Sequence, residues 1–339
     1  MQHRYTKNEH RLEIKRNSIM KNQIRDNLIA TIKERIPADI NLTNYLSDTL
    51  NIGRESAYRR IRGDINFTFD EVIILSQDLK FSVDNIIGIK RNENALFNIH
   101  MLQNLDYFDI YVNKMLEYGR MFREMSKQYE TKARISINTL PYYFHVGYEL
   151  LSKLRIYKWL YQNQKISPNV KFADFALPSK VTEAHRKFHQ DIQKVHHVTI
   201  IMDHDVFWSV ARDLEYFFKR GLITSQDIQL LKEELYDLID KMEQMATSGV
   251  TKSGTKVEMY VSAVVLEASY LHFEYGDNQF AQVRIYSISA IDSYDKGLCQ
   301  IQKDWMESQK RYSVLVSGSG EMQRFEYMNK QREYIGEIV

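Results

Sequence analysis

Along the first ninety positions, apolar residues recur at steps of three and four. Ile24, Leu28, Ile29, Ile32 and Ile36 predict an amphipathic helix that Pro37 ends. Leu42, Tyr45, Leu46 and Leu50 predict a second, short helix, and Asn51-Ile52-Gly53 a tight turn after it. Residues 54–62 read as a third helix with Ala57 and Ile61 facing inward and Gly63 just past its end. Thr68-Phe69-Asp70-Glu71 is a capping box, in which hydroxyl and carboxylate each satisfy a free N–H, and Val72, Ile73, Leu75 and Leu79 give the helix behind it an inner face. Ser82, Val83, Ile86 and Ile87 predict a fifth helix.

Beyond residue 90 the pattern stays helical for a long stretch with few breakers. Phe97, Ile99, Met101, Leu102 and Leu105, then Tyr111, Met115, Tyr118, Met121 and Phe122, suggest one extended helix or two in line. After Pro141, Phe144, Tyr148, Leu151, Leu154, Tyr157 and 159–161 form a dense aromatic face, which suits a core or a subunit interface. Amphipathic helices follow at 207–218 and 225–245. The period then changes to two: 257–266, 268–275 and 280–288 read as strands, 298–309 as helix, 313–316 as a buried strand, and Gly318-Ser319-Gly320 leads into a polar helix. The expected fold is mainly α. It comprises a basic arm (1–21), a five-helix N-terminal bundle (22–90), a long helical middle region for dimerisation or sensing (91–245) and a smaller C-terminal α/β region (246–339).

Charge sharpens this outline in one place. The formal net charge of the whole chain is only +2, yet GRESAYRRIRG (53–63) carries Arg54, Arg59, Arg60 and Arg62 on one short helix. Phosphate attraction is local, within a Debye length of about 8–10 Å, so such a patch can act without a large net charge. The single cysteine, Cys299, excludes an intramolecular disulfide and fits a reducing cytoplasm. No apolar leader or run of about 18 apolar residues occurs, so a soluble protein without a membrane partner is expected.

The run TLNIGRESAYRRIRGDINFTFDEVIILSQDLKFSVDNIIG resembles the lambda-repressor-like (XRE-type) helix-turn-helix family. The resemblance covers about residues 22–90 and rests on the Asn51-Ile52-Gly53 turn, Gly63, the capped fourth helix and the close at 79–84. It departs from the family at Ser47, where Ala is usual, and at Asn51, where Gly is commonest. It implies a recognition helix at 54–62 lying in the major groove, with Arg54, Glu55, Ser56, Tyr58, Arg59 and Arg62 at the DNA. Arg can fork onto guanine O6 and N7, and Glu can accept from cytosine N4. Thr43 and Asn44, at the start of the preceding helix, suit phosphate clamping. One recognition helix covers half a site, so the expected partners are double-stranded DNA and a second copy of the chain, with an unidentified small-molecule effector for the body.

Other chemistry is sparser. His185, His189, His196, His197 and His204 cluster near Asp203 and Asp205, and the i, i+4 pair His185/His189 could grip a metal, but HExxH is absent and Arg186-Lys187 opposes a dication. Gly318-Ser319-Gly320 before a helix could hold an anion or be a plain turn, and it lacks the P-loop lysine. Neither a nucleophile elbow nor a paired-carboxylate arrangement stands out. The expectation is therefore a transcription regulator rather than an enzyme, without cofactor or metal. A protein-interaction scaffold using the same fold without DNA readout is the alternative, and a metal enzyme built on the histidines a third.

Overall fold

A computed structural model describes residues 24–33, 35–36, 40–79, 81, 83, 86, 97–100, 107–285 and 287–338. The expected arm at 1–21 and most of the expected fifth helix lie outside them. The chain divides into two compact units, Met1–Asn94 and Ala95–Val339.

In the first unit, residues 24–33 form α1, followed by α2 (Leu42–Thr49), α3 (Arg54–Arg62) and α4 (Phe69–Asp78). Their inward residues make one core: Leu28, Ile32, Leu46, Ala57 and Leu75 are almost fully enclosed, with Phe81 and Ile86 packed against them. The α2–α3 connection explains both departures noted above. Asn51 adopts φ 51°, the left-handed conformation that Asn tolerates next best to Gly. The Ser47 hydroxyl donates to the Ile52 carbonyl at 2.6 Å, while the Ile52 N–H donates to the Ser47 carbonyl at 3.1 Å. An alanine at 47 would leave the Ile52 carbonyl short of a donor. Ser47→Ala is therefore expected to lower the stability of this unit by about 1 kcal/mol in urea titration. Gly63, at φ 86°, closes α3, and the Asp64 N–H donates back to Arg59 O at 2.9 Å.

The second unit corrects the expected fold class. Residues 95–339 do not form a helical middle followed by a small α/β region; they build one α/β body on an eight-stranded mixed sheet. Of the five helices expected in the first unit, four are described in full or nearly so, and of the fifth only Val83 and Ile86, both helical, are among the described residues. In chain order the second unit runs β1 (Asn98–His100), α5 (Tyr107–Gln128), β2 (Thr131–Ile137), α6 (Tyr142–His145), α7 (Glu149–Gln162), α8 (Ser179–Ile192) and β3 (His197–Met202). It continues with α9 (Val206–Lys219), α10 (Ser225–Ser248), β4 (Lys256–Ser262), β5 (Tyr270–Tyr275), β6 (Asn278–Ile285) and β7 (Ser289–Ser293). It closes with α11 (Lys296–Gln309), β8 (Ser313–Leu315) and α12 (Glu321–Gly336).

The strands lie in the order β1-β7-β6-β5-β2-β3-β4-β8. The central trio β2, β3 and β4 is parallel, and every other pairing is antiparallel. The parallel trio arises because helices separate its strands, as crossover connections require. His197–Met202 reads HVTIIM, and five of its six residues are buried, which is how a strand covered on both faces looks. The extended helix expected over 97–105 is replaced at 98–100 by β1, an edge strand paired with β7.

The two faces of the sheet differ. Phe273 and Phe280 meet α5, where the Phe122 ring sits 4.8 Å from that of Phe273, and α5 packs on α8 through Phe122 and Phe188. The other face carries charge. Arg134 of β2 donates to Glu307 of α11 at 2.5 Å and also pairs with Glu274, which Lys303 of α11 pairs in turn. These ion pairs and the Tyr270–Trp305 edge contact dock α11. No described helix is long and apolar enough to cross a membrane.

Candidate nucleic-acid interface

At 100° per residue, Arg54, Tyr58, Arg62, Glu55 and Arg59 fall in that order across an arc of about 140° on α3. Ala57 is fully buried on the other side, and Ile61 beside it packs on the core. All five residues of the arc are exposed, Tyr58 at 47 %. The face thus offers three arginines, one glutamate and one aromatic ring. The Arg62 guanidinium lies 5.7 Å from the Tyr58 ring centre and 3.7 Å from the Asp64 carboxylate. Both contacts are surface-exposed and weak, and each leaves Arg62 free to exchange partners. Among the described residues Arg54 and Arg59 make no ion pair.

Arg60 is different. Its side chain turns off this face and forks onto Glu71 of α4, Nη2 to Oε1 at 2.6 Å and Nε to Oε2 at 2.9 Å, with both side chains only 12 % exposed. A further N–H donates to the carbonyl of Ser56 at 3.2 Å. Glu71 also completes the capping box: its carboxylate accepts from the Thr68 N–H at 2.9 Å while the Thr68 hydroxyl accepts from the Glu71 N–H at 3.2 Å. Burial works to raise the Glu71 carboxyl, but the Arg60 fork and the Thr68 N–H outweigh it and hold the group below its usual range. Arg60 therefore fixes the angle between α3 and α4 rather than facing a ligand. Ser56 is half-buried beside it and sits at the edge of the exposed arc.

Thr43 and Asn44 stand where the sequence puts them, in the first turn of α2, but their backbone N–H groups are occupied. The Asn41 carboxamide oxygen accepts from Thr43 N at 2.9 Å and from Asn44 N at 3.4 Å. Asn41 is a residue that reading from the sequence missed, although Asn immediately before a helix is a plain N-cap signal. The side chains of Thr43 and Asn44, half-buried, remain the groups able to meet a phosphate.

The five histidines do not converge. His185 is buried on α8, 3.1 Å from the Tyr111 hydroxyl; His189 bonds Gln193 at 2.8 Å; His196 bonds Thr131. Among the described residues no three His, Cys, Asp or Glu side chains come together. Burial, then the charge of Arg155, pulls His185 down to about 4. Because the folded value lies below the ordinary 6.5, the unfolded chain binds more protons between them, and stability falls as pH drops through that window. Between pH 7.5 and 5 the second unit should lose about 2 kcal/mol from His185 alone. Buried His145 acts in the same direction. Urea unfolding at the two pH values checks this, and His185→Gln should flatten the dependence.

The turn before α12 is tightly packed. Gly318 and Gly320 take φ 66° and 74°, a Cβ at Gly320 would meet the Leu315 carbonyl at 2.3 Å, and Arg324 beneath donates to Val316 O at 2.8 Å.

Comparison with protein-family models, with curated proteins and with solved structures gives no significant match. The functional reading therefore rests on the residues themselves.

Proposed function

We propose that this chain is a sequence-specific, cytoplasmic DNA-binding transcription regulator. It acts as a dimer, with the exposed arc of α3 in the major groove and the second unit serving dimerisation or effector sensing. The observation that carries the reading is the sorting of the four arginines of α3. The one needed for the fold, Arg60, is turned inward onto Glu71, while Arg54, Arg59 and Arg62 flank Tyr58 and Glu55 on one outward face. A merely solvated helix has no need of that separation. Arg54 and Arg59 suit guanine edges and Glu55 a cytosine amine. Thr43 and Asn44 on α2, and Arg62 at the far end of α3, suit the flanking phosphates. Pairing two copies sets two such helices about 34 Å apart on one side of the duplex.

The test is to measure affinity for duplexes enriched from a random pool against scrambled duplexes at about 150 mM salt, where non-specific phosphate attraction is weak. The reading expects a specificity ratio of at least ~10³. Equal affinity for both duplexes would overturn it.

A further inference from the structure

In the second unit two arginines face one cavity without an acid. Arg155 of α7 and Arg284 of β6 both line a cavity of about 210 Å³ between α5, α8 and the sheet, and both also line a more polar cleft on its far side. Arg155 donates to the Ser287 carbonyl at 3.2 Å and lies 4.8 Å from the Tyr142 ring centre, and its buried Nε has no partner. Arg284 has a long bond to the Thr139 hydroxyl at 3.4 Å. Among the described residues neither pairs with a carboxylate. Asp213, in the polar cleft, is committed to Lys158, and Glu267 there is exposed.

Both residues are half-buried, and the surrounding protein is dense. Burial, then the charge of Arg155, pulls Arg284 down to about 9. His145 next to them is buried with both ring nitrogens unpartnered and is held neutral by burial and by the two arginines, so it adds no third positive charge. Unpaired charge in such surroundings is strongly unfavourable, and a like-charged pair more so. Folds tolerate features of this kind where function requires them.

Most of the remaining lining is apolar, Met115, Ile135, Ile137, Phe188, Val198 and Leu271 among it; of its polar members besides the tyrosines, Lys114 pairs with Glu117, the Ser269 hydroxyl donates to Asn138, and Gln282 and Ser289 complete the set. A dry apolar cavity of ~150 Å³ already accepts benzene. A carboxylate brings two oxygens for two guanidinium forks. Phosphate would bring a third oxygen needing its own donor. The Tyr111 and Tyr142 hydroxyls beside it are already spent, Tyr111 on Tyr142 at 2.8 Å and Tyr142 on the Met115 sulfur.

We propose that Arg155 and Arg284 bind the head of a small carboxylic acid whose apolar body fills the chamber between α5, α8 and the sheet. Binding stands independently of the DNA reading; only its role as effector control of DNA affinity rests on that reading.

The test uses the full chain, calorimetry and thermal melting, with straight-chain acids from butanoate to decanoate and with benzoate. The matching primary alcohols and inorganic phosphate serve as controls. The expected result is saturable binding of at least one acid, with a raised melting temperature and no such effect from its alcohol. Arg284→Met should weaken that acid about tenfold or more, and without ligand should melt no lower than the parent, because an uncompensated charge is removed. The proposal is overturned if no acid binds, if the alcohol binds equally, if phosphate binds in place of every acid, or if Arg284→Met without ligand melts well below the parent. Acid binding without any DNA selectivity would support this site and fail the DNA reading alone. DNA selectivity without acid binding would fail this site alone.

Discussion

Replacing Glu71 with alanine is expected to destabilise the first unit by about 3 kcal/mol. Two losses combine at one side chain. Removing the carboxylate strands the Arg60 guanidinium, which is 12 % exposed and otherwise holds only the Ser56 carbonyl. Breaking a buried pair costs about 3–5 kcal/mol, and the residual exposure here places the loss near 2. The same substitution removes the capping-box bond to the Thr68 N–H, worth about 1 kcal/mol. For a unit of this size, the melting temperature should fall on the order of 15 °C. Glu71→Gln separates the terms, since its amide oxygen can still accept from Thr68 N–H while the ion pair is gone, so about two-thirds of the effect should remain. Calorimetry of the three proteins measures this. A Glu71→Ala protein melting within a degree or two of the parent would mean that the fork onto Arg60 contributes nothing.

Arg59→Ala should leave stability almost unchanged and instead weaken specific DNA binding by about 2 kcal/mol, roughly thirtyfold. Arg59 is exposed and unpaired among the described residues, so its removal strands nothing in the folded chain. If it reads a base, selectivity relaxes at one position of each half-site and the salt dependence stays the same. If it holds a phosphate, affinity drops uniformly and the slope of log K against log salt falls by about 1. Arg60→Ala should show the converse, a loss of stability with the base preference intact. Fluorescence anisotropy on the selected duplex and its single-base variants distinguishes the two arginines. An Arg59→Ala protein with unchanged affinity and preference would remove that side chain from the interface.

What could be read from the sequence was the local part of the structure. Gly63, the Thr68/Glu71 box and the inward Ala57 depend on neighbours within a few residues, and they stand as read. The direction of Arg60 was hidden because its partner lies on another helix; four arginines in nine positions look alike until Glu71 claims one. The middle of the chain was misjudged for a different reason. Thr131–Ile137 (TKARISI) places Lys, Ala and Arg, all good helix formers, between long helices, and only the alternation of Ala133, Ile135 and Ile137 marks a strand. His197–Met202 is a six-residue, β-branched-rich run whose length favours a strand over a helix. Without those two strands, the strands from 256 onward look like a separate small region instead of five of the eight strands of one sheet. The arginine pair was invisible for the same reason, since Arg155 and Arg284 are 129 positions apart in the chain and only the assembled fold brings them to one cavity.

The central claim is that the exposed arc of α3 reads DNA sequence, and one paired selection tests it directly. Full-length protein and a variant carrying Arg54→Ala, Tyr58→Ala and Arg59→Ala, with Arg60 and Glu71 intact, are each put through a random duplex pool at about 150 mM salt. The account predicts that the parent enriches a two-fold-symmetric site and that the variant, equally folded by its melting curve, enriches none. An unenriched parent pool, or the same motif recovered by the variant, would contradict it.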